Sequence, residues 1–241
     1  MDTANDTFGI ISQYLTYAAY IFGVIGIIIY LYHIVKLISI RHPKKKYDYI
    51  TLHEIRTIWY GSLMLVIGFG LYPKSIVSDS FYLAGFVNFF ISVAFATILG
   101  SIIFYPLKFY YPSFMNRRLK SLRYKPRISP NTGKPMKLMT ESEEDVYLDE
   151  GMQAEEEVSS IDYDVWIDED TGYTQIEKYQ GKLTAKTCPN CGYQTFKTVK
   201  EEIIQYPDDS KTGQLVKKMH CGYCGHKGKL YFNVKKMVEE K

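Results

Sequence analysis

Three long uncharged runs occupy the first 107 residues, and nothing like them recurs afterwards. Twenty-six residues separate Asp6 from His33, 17 separate Arg56 from Lys74, and 28 separate Asp79 from Lys108. A helix crosses a bilayer core with about 20 apolar residues. The pattern therefore predicts spanning helices at about 8–34, 57–73 and 81–107. The second is close to the lower length limit, and its Gly61, Gly68 and Gly70 are expected to permit close helix contact. The leader MDTANDT is acidic and the first apolar run exceeds a normal signal-peptide core, so a retained helix is expected there.

Beyond residue 127 the period shortens. QTFKTVKEEIIQ and QLVKKMHC read as two strands around a turn at 207–213, and KLYFNV as a third. Residues 163–167 read as another strand, with Trp166 in a small core, and 143–157 as an acidic helix.

Charge sharpens these boundaries. The net charge of +3 hides seven Lys/Arg without an acid from Lys108 to Arg127, and fourteen Asp/Glu without a cation from Glu141 to Asp170. Cations also crowd the first loop (Lys36, Arg41, Lys44, Lys45, Lys46, Arg56), whereas PKSIVSDS carries only Lys74. The excess of Lys and Arg on cytoplasmic loops then predicts an outside N-terminus and a cytoplasmic C-terminal half. The aromatic-rich run after Lys108 reads as an interfacial belt on anionic headgroups. The carboxylates Glu155, Glu156, Glu157, Asp162 and Asp164 lack the order of a calcium loop and read as a solvated face.

The four cysteines form two pairs, Cys188/Cys191 in CPNCG and Cys221/Cys224 in CGYCG, with 29 residues between them. Each C-x-x-C turn can aim two thiolates at one ion, with the following glycine supplying the positive φ that closes it. Cys188, Cys191, Cys221 and Cys224 are therefore expected to hold one structural zinc ion in a closed four-thiolate site. His220 and His226 flank the second pair as alternate ligands or, more simply, as neighbours that hydrogen-bond a thiolate or face solvent.

A second pair of turns repeats this frame without thiols. Ser129-Pro130-Asn131-Thr132-Gly133 copies CPNCG, and Asp168-Glu169-Asp170-Thr171-Gly172 follows after 35 residues. Two matches in order imply a tandem repeat whose first copy has no metal. Its Ser, Thr and Asp can hold the turns by hydrogen-bonding their own backbone.

YLDEGMQAEEEVSSIDYDVW (147–166) followed by CPNCGYQTFKT resembles the C-terminal zinc-ribbon region of bacterial membrane proteins that carry a TPM domain. The resemblance covers about residues 128–226. It implies a double ribbon in a bacterial cytoplasmic-membrane setting. The chain departs from the family in lacking thiols in its first ribbon and in having apolar runs where the TPM domain would stand. The phosphatase activity suggested for that domain therefore has no residues to occupy here.

The expected fold class is an integral membrane three-helix anchor (1–107), a basic juxtamembrane connector (108–127) and a small all-β tandem zinc-ribbon domain. Its degenerate ribbon, with a short acidic helix, covers 128–187, and its metallated ribbon covers 188–241. The expected function is a non-enzymatic adaptor or assembly subunit at the inner membrane, docking a protein partner through the acidic cytoplasmic face. A homo-oligomer stays open. One alternative is an enzyme or enzyme subunit of envelope or lipid processing, with a polar pocket containing His33, His42 or His53. The other is nucleic-acid binding through Lys197, Lys200, Lys217, Lys218, Lys227 and Lys229, which is disfavoured. No G-x-S-x-G, Walker loop or H-E-x-x-H motif is present.

Overall fold

The structure is a computed structural model that describes residues 2–72, 81–207 and 212–234. The chain divides into two compact units, Met1–Lys125 and Pro126–Lys241.

The first unit is helical: α1 (Asp2–Ser39), α2 (Pro43–Tyr49), α3 (Ile55–Leu71), α4 (Phe81–Tyr105) and α5 (Tyr111–Arg123). Two helical stretches, Gln13–Ser39 and Phe89–Arg123, are long and apolar enough to cross a membrane. The loop PKSIVSDS lies outside the described residues. A π-helical turn, Ile50–Glu54, leads into α3, and another, Pro106–Tyr110, joins α4 to α5. Pro106 opens the latter, where its missing N–H breaks the regular ladder.

Helices α1 and α3 run antiparallel and close together because glycine faces meet. Added to Gly68, a Cβ would lie 2.9 Å from the Ala19 carbonyl, and added to Gly61 it would lie 3.0 Å from the Tyr30 ring. Tyr30 Oη lies 2.5 Å from Ser62 Oγ and donates to the Ile58 carbonyl at 3.2 Å. On its other side α3 meets α4 through Trp59–Phe104 and Phe69–Phe95, each with ring centroids 5.3 Å apart. Gly70 faces Ala96 of α4, not α1.

The basic stretch after Lys108 is not merely a belt. Met115 and Leu119 of α5 bury against Ile50, supported by Leu37, Tyr47 and Ile55. Arg118 donates to both oxygens of Glu54, at 3.0 and 3.3 Å, and Tyr111 Oη also donates to that carboxylate. The segment docks there because two spaced apolar residues find a partner surface, which a charge count does not reveal.

The second unit holds two three-stranded antiparallel sheets, β1-β2-β3 and β4-β5-β6. The first contains β1 (Lys137–Leu138), β2 (Ile161–Ile167) and β3 (Thr174–Gln180). The second contains β4 (Phe196–Gln205), β5 (Gly213–Cys221) and β6 (Lys227–Val234). The order along the chain is the same in both: turn, strand, strand, turn, strand. In the first module the link between its first two strands is enlarged to hold α6 (Glu141–Glu144), a 3-10 turn (Asp145–Tyr147) and α7 (Glu150–Glu157). The single acidic helix expected over 143–157 is thus broken. Asp149 caps α7, its Oδ1 accepting from Met152 N at 2.8 Å, and this new start ends the earlier turn.

The core of the first module joins Leu148, Ile161, Tyr163 and Val165, with Trp166 also buried. Beside it, buried Arg127 makes a two-pronged pair with Glu177 at 2.8 and 2.7 Å and lies 4.8 Å from the Trp166 ring centroid. Tyr179 Oη donates to the same carboxylate at 2.6 Å. Arg127→Ala would leave Glu177 a buried unpaired charge, with an expected loss of about 3–5 kcal/mol. Arg127→Met combined with Glu177→Gln should recover much of that loss. Urea unfolding followed at Trp166 measures both.

Candidate metal centre

The four knuckles of the second unit share one backbone design. Ser129, Asp168, Cys188 and Cys221 each donate their N–H to the carbonyl five residues on: Lys134, Tyr173, Tyr193 and His226, at 2.8–2.9 Å. Gly133, Gly172, Gly192 and Gly225 all sit at positive φ, between 68° and 82°. Glycine occupies that region without the Cβ clash that other residues meet.

In the second module these turns bring together the thiols of Cys188, Cys191, Cys221 and Cys224, with all four sulfurs within 4.8 Å of one another. The Cys188–Cys224 and Cys191–Cys221 Sγ pairs are each 3.7 Å apart. Four thiolates at about 2.3 Å from a tetrahedral ion stand about 3.8 Å from each other, so the cluster fits such an ion.

Thr195, fully buried, places Oγ1 3.0 Å from Cys221 Sγ, and Asn190 Nδ2 donates to Cys224 Sγ at 3.5 Å. The Cys224 amide also points at Cys221 Sγ, at 3.3 Å. Burial opposes ionisation of Cys221, but the bonds from Thr195 and from the Cys224 and Tyr223 amides bring its thiol down to about 6, whereas burial pushes Cys191 up to about 12.

His220 and His226 stand outside this convergent set. His226 offers its carbonyl to Cys221 and packs its ring on Phe196, centroids 5.8 Å apart. The side chains that hydrogen-bond the thiols are Thr195 and Asn190, and His226 reaches Cys224 through its backbone amide, not its ring. The pattern reading passed over Thr195 and Asn190, although Asn190 stands inside CPNCG.

The first module solves the same closure without thiols. Asp168 Oδ2 accepts from Ser129 Oγ at 2.6 Å, Thr132 Oγ1 at 3.0 Å and Thr171 Oγ1 at 2.8 Å. One carboxylate oxygen thus gathers both knuckles, where the second module gathers four sulfurs. The turn-local bonds expected from the sequence are present too, from the Asn131 amide to Ser129 Oγ and from the Asp170 amide to Asp168 Oδ1. The link across the two turns was not expected. It depends on a single acid at the only non-hydroxyl position, a pattern visible once the turns are paired.

The Ser129 hydroxyl, followed by those of Thr171 and Thr132, holds the Asp168 carboxyl at about 2. An unfolded aspartate titrates near 3.9. The folded value is the lower one, so the stabilisation is complete above about pH 4 and is lost as pH falls toward 2. Acid unfolding of the first module, read from Trp166 fluorescence, is expected in that window, and Asp168→Asn should flatten it.

The modules meet through α7. Glu155, 1% exposed, accepts from the Gln194 amide next to the first cysteine knuckle, from Tyr163 Oη and from Lys178 Nζ. A Cβ on Gly151 would overlap the Tyr193 ring. Glu155 is therefore an internal joint and not part of a solvated acidic face. Glu144, Asp164 and Asp168 are buried as well, and burial pushes Glu144 up to about 7.

In the helical unit, the three histidines singled out by sequence separate. His33 is buried, its Nδ1 3.0 Å from Tyr49 Oη and its Nε2 3.9 Å from Glu54, while His42 and His53 are exposed. Glu54, Tyr111 and Arg118 complete this cluster. They were missed because they lie far apart in sequence. No family model, curated protein or solved structure matches the chain.

Proposed function

We propose that the chain is a membrane-anchored zinc-ribbon adaptor that docks a cytoplasmic protein at a bacterial inner membrane. The observation that carries this reading is the convergence of four thiols from two knuckles. Four thiolates fill a tetrahedral zinc ion's coordination and leave no open position for water or substrate, so the metal's role is structural. The two long apolar stretches support anchoring, and α3 packed between them serves as the third span. The Lys/Arg-rich ends of α1, α3 and α4 then face the cytoplasm.

The docking face lies on the enlarged link of the first module. Glu141, Asp145 and Glu150 are exposed there beside Val146, which is 85% exposed. An exposed apolar side chain on a segment with exposed acids suits a basic, partly apolar partner surface. Pull-down of the full chain in mild detergent should recover one stoichiometric partner. Glu141→Lys with Asp145→Lys should weaken that recovery without changing metal content. A chain recovered only with itself would overturn the adaptor reading.

The alternative of a membrane enzyme gains one observation, the buried His33–Glu54 cluster. Both oxygens of Glu54 are engaged by Arg118, which suits a latch between helices better than a reaction site. Nucleic-acid binding loses ground because Lys217 pairs with Glu201, and Lys200 and Lys218 both pair with Glu202.

A further inference from the structure

A groove of about 400 Å³ opens on the helical unit between the two π-helical turns. Its floor is apolar, made by Leu52, Ile55, Trp59, Phe104 and Leu107, and two cations, Arg56 and Lys108, stand on its rim. Arg56 is exposed and, among the described residues, has no ion pair. The Lys108 ammonium lies 5.4 and 5.5 Å from the Phe104 and Phe109 ring centroids.

The surroundings are short of acids that could answer these charges. From Lys36 to Arg56 and from Lys108 to Lys125 there are twelve Lys/Arg and two acids. Asp48 is taken by Lys44, and Glu54 is buried against Arg118 and Tyr111. The antiparallel packing of α1, α3 and α4 puts all these cations at one end of the bundle, the end where the apolar helices give way to charge.

We infer that this groove binds one anionic phospholipid, with its phosphate between Arg56 and Lys108 and the start of an acyl chain along Trp59 and Phe104. The inference rests on the membrane reading above. The occupant follows from complementarity: an apolar floor needs an apolar ligand, two unanswered cations need an anion, and both features meet at the level of a headgroup. A diffuse basic belt would need no groove, and a soluble phosphate would need no aromatic floor.

Trp59 is one of two tryptophans and lies in the groove, whereas Trp166 is buried in the second unit, so bromine-labelled acyl chains report on the site through Trp59. The full chain would be reconstituted in phosphatidylcholine vesicles containing a small fraction of brominated phosphatidylglycerol. The expected result is quenching far above that given by the same fraction of brominated phosphatidylcholine. Arg56→Gln with Lys108→Gln should reduce the preference by on the order of 30-fold, and Arg117→Gln with Lys120→Gln on α5 should spare it.

Equal quenching by the two lipids, or equal loss in both double variants, would overturn the lipid site while leaving the membrane anchor standing. Loss of the preference on adding inorganic phosphate would overturn it in favour of a simple anion site. No quenching even in fully brominated phosphatidylcholine would overturn the anchor itself, and the lipid site with it.

Discussion

Chelation of the full chain is expected to release about one zinc ion per chain and to unfold the second module while β1, β2 and β3 persist. The reason lies in how little else that module has. Its core is Cys188, Phe196, Met219 and Cys221 with Cys191 and Leu230 against them, so three of its six members are thiols. Along β4 only Phe196 is buried, and Val199, Ile203 and Ile204 stand in solvent. A module of roughly 50 residues with so small a core cannot offset its chain entropy by apolar burial alone. Binding at a four-ligand zinc site carries about 10–16 kcal/mol, as much as the whole stability of a typical domain.

Hydrogen exchange read by mass spectrometry would test this peptide by peptide. Protection over 196–205 and 213–221 should vanish with the metal, and protection over 161–167 and 174–180 should remain. The helix α7 should loosen in part, since Glu155 loses the Gln194 amide and Gly151 loses the Tyr193 ring. Cys191→Ser should reproduce the same map. Equal protection with and without metal would mean that the thiols are not what holds the module.

Placing cysteine at Ser129, Thr132, Asp168 and Thr171 together is expected to raise the metal content from about one to about two per chain. The four replaced side chains already converge, because three hydroxyls reach one Asp168 oxygen within 3.0 Å. Their backbone turns match those of the cysteine knuckles in hydrogen bonding and in glycine φ. A thiolate set on this frame would meet the requirement for a second tetrahedral ion. The variant should be made with zinc supplied throughout, since before metal binds it has neither the carboxylate hub nor a closed site. Metal analysis, with Trp166 fluorescence to confirm the fold, decides the outcome. A folded variant holding a single ion would show that the first module's turns are too far apart to share one.

The same two modules show what can be read from residues alone. Paired C-x-x-C-G turns are legible because metal chemistry demands few residue types at strict spacing. SPNTG and DEDTG are legible only by comparison with them, through the glycine that a positive φ requires. The apolar runs were legible by length. The location of Glu155 was not, because a glutamate in EEE reads as solvated until Tyr163, Lys178 and the Gln194 amide are seen around it. The groove at Trp59 was not legible either, since its walls come from two segments about fifty residues apart.

By itself the sequence determined the apolar character of the N-terminal half, the strand-and-turn character of the rest and the identity of four thiols fit for one ion. These follow from composition and short-range spacing, which local physics reads directly. Tertiary structure alone decided which acids are buried joints and which are surface, that one aspartate oxygen gathers a whole knuckle pair, and that Glu54 latches α3 to α5. Those outcomes depend on which distant segments meet, and the energy of a charge or hydroxyl is set by its neighbours in space, whatever its neighbours in the chain.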